Sequence, residues 1–541
     1  MTNNDSNSGK TSRRIILLSG PVSSGKTHLS KRLEDHFGLL ILRTRELLVE
    51  KSPKHSDDRL ALQAVGGQFD RETDGKWVLS ALMEIINSPS ISKLVVVDCV
   101  RTNKQIEHIR NAYRSGVTHV HLTAPVEVLR RRYNQRYARA SAPSYDRVMS
   151  NKTESSVWKL AETADIVIDS KQCNPDDVLV RAASYTSLYG ESDDGYVDVI
   201  VGGQYGSEGK GQIASFIARE YDLLVRVGGP NAGHKVFELP EPYTHHHLPS
   251  GTRTSNAKLL LAPGSVLLLD RLLQEIADCK VDKDRLGIDP QAIVITPEDI
   301  DREGDVQRLI GSTRQGVGEA SARKITHRGR PVTLAGNVPE LKPFIRPAYS
   351  VISLAFANNE KILLEGTQGS GLSLHHGQYP YVTSRDTSVS GCLSEAGIPP
   401  SRVRRVIMVC RTYPIRVQDP VGGTSGPMSI EINLKKISER SGINLKELQG
   451  IEITSTTHRK RRIGEFDWVL LRKSALLNGP TDIALTFTDY LDKRNRNARR
   501  IEQLTRPTLD LIEEIERVTH ARASLIATGF NNRSVIDRRS W

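Results

Sequence analysis

Long apolar runs are absent from this sequence. No stretch approaches the roughly 20 consecutive apolar residues that a membrane-crossing helix requires. The polar opening, Met1 to Ser12, lacks the apolar core of a secretory signal and reads as a disordered lead. Cysteine is scarce: Cys99, Cys173, Cys279, Cys392 and Cys410 lie far apart with no CxxC pair. That argues against a disulfide framework or structural zinc and for a reducing cytoplasm. No segment repeats with the period of about 20–50 residues that marks solenoids and propellers. Basic residues give a formal charge of +12 but are spread along the chain rather than gathered in a tail. Phosphate-bearing small substrates account for them better than a polynucleotide does.

What is present fits a globular protein of more than one domain. Hydrophobic residues make up 38% and charged residues 26% of 541, a length that calls for two or three domains. Two Gly-rich loops, near residues 20 and 205, each follow an apolar strand. The polar, turn-rich segment from Tyr185 to Tyr196 separates them. A boundary near residue 192 gives a first domain over residues 13–190 and a second over 196–541. Strands are expected at Ile15–Leu18, Leu94–Val97, Val117–Leu122 and Ile166–Ile168 in the first domain. In the second they are expected at 197–201, 258–261, 292–296, 361–364, 406–409, 482–486 and 524–527. Alternation with helices indicates an α/β class: two P-loop-type domains, each a mainly parallel sheet flanked by helices.

Gly20 to Thr27 (GPVSSGKT) matches GxxxxGK[ST] in full. Gly20, Ser24 and Gly25 let backbone N–H groups fold around phosphate oxygens, and the following helix N-terminus adds positive potential. Lys26 is placed to reach the β/γ-phosphates and the Thr27 hydroxyl to ligate Mg²⁺. Asp98, at the end of its strand, suits a second Mg²⁺ or substrate contact, or a helix cap. Arg130, Arg131, Arg132, Arg136 and Arg139 fall on one expected helix, where a kinase lid needs arginines. In loop, Asp98-Cys99-Val100-Arg101 and arginine-rich lid, this domain resembles the nucleoside-monophosphate kinases. The resemblance implies phosphoryl transfer to an acceptor the residues do not identify.

The second loop, Gly202 to Gly211 (GGQYGSEGKG), is of another kind, because its lysine follows Ser-Glu-Gly. Four further segments accompany it: Gly228–His234, Gly311–Gly318, Glu365–Gly369 and Gln378–Ser384. Together they resemble adenylosuccinate synthetases from about residue 196 onward, most closely the shorter archaeal and viral branch. The resemblance implies that a nucleoside triphosphate, ATP or GTP, phosphorylates the C6 oxygen of a purine nucleoside monophosphate. The amine of L-aspartate then displaces that phosphate.

By the same resemblance Gly206, Glu208, Gly209, Lys210 and Gly211 form the phosphate loop, His234 is the general acid, and the Gly233 carbonyl ligates Mg²⁺. Asn231, Ser312, Thr313, Gln368 and Thr383 correspond to acceptor contacts. Thr456, Thr457, Arg459 and Arg461 correspond to the aspartate loop, where guanidinium forks suit carboxylates. A solvated basic run is the plainer reading of Arg459 to Arg462. Asp489 falls where the family reads guanine, with Thr528 and Gly529 nearby. Phe487 stands there in place of a lysine and Phe530 in place of a proline, so ATP and GTP both stay open as donors.

Ser207 is the largest departure, standing where ordinary members carry an Asp that takes the N1 proton and binds Mg²⁺. A serine hydroxyl is no base near pH 7 without help. It does leave room for a C2 amino group and can accept a hydrogen bond from it. The same change marks viral 2-aminodeoxyadenylosuccinate synthetases, which act on dGMP. Ser207 therefore predicts dGMP or GMP as acceptor. Ordinary synthesis from IMP, or a non-catalytic nucleotide sensor, are the alternatives. Lys235 departs from a usual threonine. Arg328, after His327, stands one residue from the family's arginine that reaches a partner subunit's acceptor phosphate, which implies a homodimer. His245-His246-His247 is expected to alternate faces of a strand and not to bind metal.

Overall fold

The computed structural model describes residues 14–55, 58–86, 94–137, 143–186, 188, 197–237, 241–420, 423–452, 461–531 and 534–540. The expected lead over residues 1–12 lies outside them, as do Arg139, Thr456, Thr457 and Arg459. The chain divides into two compact units, Met1–Tyr189 and Gly190–Trp541.

In the first unit five strands are described: β1 (Arg14–Ser19), β2 (Leu40–Arg43), β3 (Leu94–Asp98), β4 (Val117–Thr123) and β5 (Ile166–Asp169). All pair in parallel, in the order β2-β3-β1-β4-β5. β1 and β3 are buried along nearly their whole length, which is why they read as unbroken apolar runs. β2 was not expected. It is four residues long at the sheet edge, directly after the helix Lys26–Phe37 and its Gly38 cap, so its run is short and has no separate boundary. The arginine-bearing helix spans Val126–Arg136. Arg132 on it donates to the hydroxyl and carbonyl of Ser170, both at 2.8 Å, so this arginine ties the helix to the sheet.

The second unit has, among the described residues, one sheet of nine strands. They are β6 (Val197–Gly202), β7 (Leu223–Arg226), β8 (Lys258–Leu261), β9 (Leu286–Ile288), β10 (Ile362–Glu365), β11 (Val403–Arg411), β12 (Asp482–Thr486), β13 (Arg522–Ala527) and β14 (Val535–Asp537). Their order is β9-β8-β7-β10-β6-β11-β12-β13-β14, parallel except for the antiparallel β13–β14 pair. Alternate residues feed opposite cores: Val197, Val199 and Val201 pack in one buried cluster, Ile200 in the other. β6 stands at the centre, where the chain has gone to either side, and the crevice at such a switch point is where open α/β sheets bind ligands.

Three expectations change here. The strand expected over 292–296 is two residues, Ile293–Val294, paired with Val266–Leu267 outside the main sheet. β7, β9 and β14 were not anticipated, being three or four residues long. Of the three histidines only His245 lies in a strand, Tyr243–His245. His246 and His247 follow it, their N–H groups donating to the Glu275 carboxylate.

Candidate functional sites

In the first unit the loop closes over a left-handed glycine. Gly25 (φ 106°) directly precedes the helix. A Cβ at Gly20 would meet the Leu122 carbonyl at 2.1 Å, so no other residue fits there. The Lys26 ammonium, buried, donates to the carbonyls of Gly20 (2.7 Å) and Pro21 (2.8 Å). Asp98 is not a helix cap: its carboxylate accepts from Ser30 Oγ at 2.9 Å, and Thr102 caps the next helix. Strand end, loop and helix start are thus drawn together around one phosphate-sized turn. Ser24 is buried.

The second unit assembles its loops at the C-terminal ends of β6, β7 and β10. Glu208 is fully buried and its carboxylate is turned inward. Oε1 accepts from the N–H of Gln204 (3.0 Å) and Gly206 (2.8 Å), and Oε2 from Lys210 Nζ at 2.6 Å. Gly209 is left-handed (φ 86°) before the helix Lys210–Ile217, repeating the turn that precedes Lys26. A Cβ on Gly211 would lie 2.8 Å from that of His234, so the glycine lets the histidine segment settle on the helix start. A Cβ on Gly206 would approach Gln368 Cα at 3.0 Å. Gln368 itself is left-handed (φ 57°) and donates to Asn231 Oδ1 at 3.1 Å. Gly206, Ser207, Lys210, Gly211, Asn231, His234 and Gln368 therefore belong to one cluster of loops.

His234 is oriented by a residue that sequence reasoning did not place in the site. Its Nδ1 lies 2.5 Å from Glu365 Oε1. The same carboxylate accepts from Ser250 Oγ (2.5 Å) and Ser250 N–H (2.7 Å), and Arg226 lies 3.2 Å away. Burial alone would raise the Glu365 carboxyl, but Arg226 and then His234 hold it well below its usual range. It is an anion at neutral pH, so Nδ1 carries a proton. Burial, with Arg226 assisting, brings the imidazole down to about 4. The ring is neutral near pH 7, and its buried Nε2 has no hydrogen-bond partner among the described residues. The available signal was a carboxylate closing an apolar strand just before Gly-Thr-Gln-Gly.

A second cluster surrounds the expected donor-base position. Phe487 is left-handed (φ 58°) and its ring lies 3.6 Å from where a Gly209 Cβ would stand. Phe530 packs against Phe487 (5.6 Å) and Phe237 (4.7 Å). Asp489 is buried, which pushes its carboxyl up to about 6, with Arg496 (3.5 Å) opposing. The Thr528 hydroxyl donates to the carbonyl of Ala498 at 2.9 Å and so closes the turn beside Gly529.

Other expected residues stand apart. Arg328 is exposed, its Nε bonded to the Ile325 carbonyl. Ser312 and Thr313 are half-buried; the Ser312 hydroxyl accepts from Arg314 N–H and the Thr313 carbonyl from the Gln315 amide. The Thr383 N–H bonds the Leu372 carbonyl. Lys235 is exposed with its ammonium 5.0 Å from the Phe237 ring centre. Arg461 is ion-paired with Glu452 at 3.0 Å.

Comparison with known proteins bears on this unit. The adenylosuccinate synthetase family model matches residues 199–337 and 332–496. An adenylosuccinate synthetase from a Pyrococcus species is 35% identical over 350 residues, 63% of this chain and 98% of the relative. That of Methanocaldococcus jannaschii is 36% identical over 351 residues, covering 63% and 96%. Among solved structures, the succinoaminodeoxyadenylate synthetase of cyanophage S-2L, bound to dGMP and to dATP as an energy donor, superposes with TM-score 0.54. It is 29% identical and covers 64% of this chain and 96% of its own. A fully ligated adenylosuccinate synthetase from Plasmodium falciparum shares the fold at TM-score 0.55 and 22% identity, covering 64% and 100%. The chain belongs to the adenylosuccinate synthetase family, and its second unit is a ligase of the type that joins aspartate to a purine nucleotide.

Proposed function

We propose that the second unit ligates L-aspartate to C6 of a guanine nucleotide, dGMP or GMP, giving a 2-amino adenylosuccinate, and that the first unit is a nucleotide kinase. The observation that carries the acceptor choice is Ser207 on the loop beside Lys210. A short hydroxyl side chain accommodates the C2 amino group that an Asp would crowd. A site that hydrogen-bonds such a group can reject an analogue lacking it by roughly 10⁴-fold. The cyanophage synthetase, bound to dGMP, supports the same reading.

The chemistry proceeds in two displacements. The C6 oxygen bonds to the γ-phosphorus as the β–γ P–O bond breaks and the N1 proton passes to solvent. The aspartate amine then bonds to C6 as the C6–O bond breaks, releasing inorganic phosphate. His234 faces this step through Nε2, because Nδ1–H is held by Glu365. Phosphoryl charge arriving at Nε2 raises the imidazole's proton affinity, and the Glu365 carboxylate stabilises the imidazolium that results. The second proton, taken up from solvent, sits on Nε2, where it neutralises charge on the transferring group.

Lys210 leaves its buried pair with Glu208 to meet phosphate oxygens, while Glu208 keeps the loop closed through its two N–H bonds. Gln368 and Asn231, already bonded to each other, hold the acceptor base. Ser312, Thr313 and Thr383 take its remaining polar groups, and Arg328 takes the acceptor phosphate of a partner copy in a homodimer. Arg461, with Arg459, Thr456 and Thr457, clamps aspartate.

The oxygens of Ser207 and Gly233 are hard and neutral. That donor set suits Mg²⁺, which takes its charge neutralisation from substrate phosphates. Ser207 and Gly233, or Thr27 in the first unit, would hold the ion, and it would supply screening of phosphate charge there. The base of ATP or GTP stacks on Phe487 and Phe530 with its edge at Asp489.

Product analysis tests this directly: dGMP, GMP and IMP, each offered with aspartate and either ATP or GTP. Aspartate-dependent turnover is expected to be much faster with dGMP or GMP. The 35% identity to enzymes named adenylosuccinate synthetases favours IMP as the second reading, and faster turnover of IMP would establish it.

A further inference from the structure

One buried carboxylate joins three parts of the ligase. Glu452 follows the helix Leu445–Ile451 and is 3% exposed. Its Oε2 accepts from Arg461 Nη1 at 3.0 Å, and its Oε1 from Arg411 Nη2 at 2.7 Å and the Tyr490 hydroxyl at 2.9 Å. Arg411, at the end of β11, passes the connection on. Its Nη1 donates to the Ser207 carbonyl at 3.2 Å. Its own N–H and carbonyl are bridged by the Gln204 amide, each at 3.0 Å. Its guanidinium stacks 3.9 Å from the centre of the Phe487 ring. Burial alone would raise the Glu452 carboxyl, but Arg411 and Arg461 bring it down to about 2. The charge is therefore permanent, and both arginines are oriented by it.

We propose that Glu452 is a positioning residue that couples the aspartate site to the donor site and to the Ser207 loop. This rests on the reading of Arg461 as an aspartate clamp. Arg461 gives one nitrogen to Glu452, while its buried Nε has no hydrogen-bond partner among the described residues and is a donor that can meet a substrate carboxylate. A triphosphate whose base packs on Phe487 immobilises Arg411. Through Glu452 that ordering reaches Arg461, so aspartate meets a clamp already fixed. Ligands that order the same group favour each other, and the coupling is reciprocal.

The test is equilibrium dialysis of labelled L-aspartate against the full chain with saturating dGMP. It is run with and without the β,γ-methylene analogues of ATP and GTP. Aspartate reports the second unit alone, whatever the first unit binds. In the wild type the analogue is expected to tighten aspartate by about fivefold or more. In Glu452→Gln that factor falls below about twofold, while the dGMP Kd moves little. Thermal unfolding checks that the variant folds, since it leaves two buried guanidinium groups without their shared anion. If it does not fold, Arg411→Lys and Tyr490→Phe decide, each expected to cut the coupling by half or more. Unchanged coupling in these variants, or none in the wild type, overturns the proposal. A wild type that ligates aspartate but shows no coupling leaves the ligase reading intact. One that binds no aspartate removes both.

Discussion

The two phosphate loops share one local design and differ in what holds the lysine. Each has a left-handed glycine immediately before the lysine that opens a helix, Gly25-Lys26 and Gly209-Lys210. Lys26 donates to two neutral backbone carbonyls of its own loop. Lys210 is locked to the Glu208 carboxylate, both side chains 1% exposed. Taking Lys210 leaves Glu208, among the described residues, with the N–H groups of Gln204 and Gly206 as its donors, so the incoming charge must be strong and well placed.

The sharpest way to break that comparison is to remove each lysine in turn. Lys26→Ala takes away the only cation placed on the β/γ-phosphates by the first motif. Phosphoryl transfer by the first unit is expected to fall by roughly 10³-fold or more, the scale of an electrostatic phosphate contact. Ligation, measured as product with all nucleotides saturating, should stay near wild type. Lys210→Ala should do the reverse. If Lys26→Ala stops ligation, the two loops are not independent and the first unit gates the second.

Next in size is the buried His234–Glu365 pair of the second unit. His234→Asn should lower kcat by roughly 10²-fold, as for loss of a general acid, with little change in Tm. Glu365→Gln keeps a hydrogen bond to Nδ1 but removes the charge that stabilises the imidazolium, and should lose a smaller factor, of order tenfold. An active His234→Asn enzyme would take this ring out of the mechanism. In the same range is Ser207→Asp. It restores a carboxylate and crowds the C2 amino group, so the ratio of dGMP to IMP turnover should drop by about 10–100-fold.

The parts of the fold legible in the sequence are those set by local pattern. β1 and β3 are near-continuous apolar runs, and β6 and β12 are mostly apolar apart from Asp198 and Asp482, because both their faces are covered, and the Walker loop carries its own spacing. β7 was not legible: its four residues end in Arg226, a charge that looks like solvent exposure. In the fold Arg226 is buried against Glu365, 139 residues away. Glu365 was missed for the same reason. His234 finds it across 131 residues, and nothing in the spacing of either motif reports that pairing. Glu208 was legible as a loop residue but not as the inward-facing group that closes the loop, since that role depends on which N–H groups the turn presents. Local chemistry reads from sequence; the long-range electrostatics that tune it come only with the sheet order.

The smallest expected effect separates the units by pH. In the first unit the Ser19 hydroxyl lies 2.6 Å from His119 Nε2 and 2.8 Å from His121 Nδ1. Burial brings both rings down to about 4, with His119 and Lys26 adding to the effect on His121. In the unfolded chain these rings titrate near 6.5. Above that value both states are neutral and the rings contribute no pH dependence. As pH falls from about 6.5 to 4 the unfolded chain takes up protons that the folded unit refuses, so stability is lost across that window. The second unit has its own buried rings, His234 and His246, each also brought down to about 4, and should show an acid limb too. His121→Gln removes one titrating group from the first unit alone. Its unfolding transition, followed by calorimetry between pH 7.5 and 4.5, should have an acid limb shallower by about 1 kcal/mol per pH unit at most. The transition of the second unit should not move. A matching change in both transitions would mean that the units unfold together and that the independence read from their separate loops is wrong.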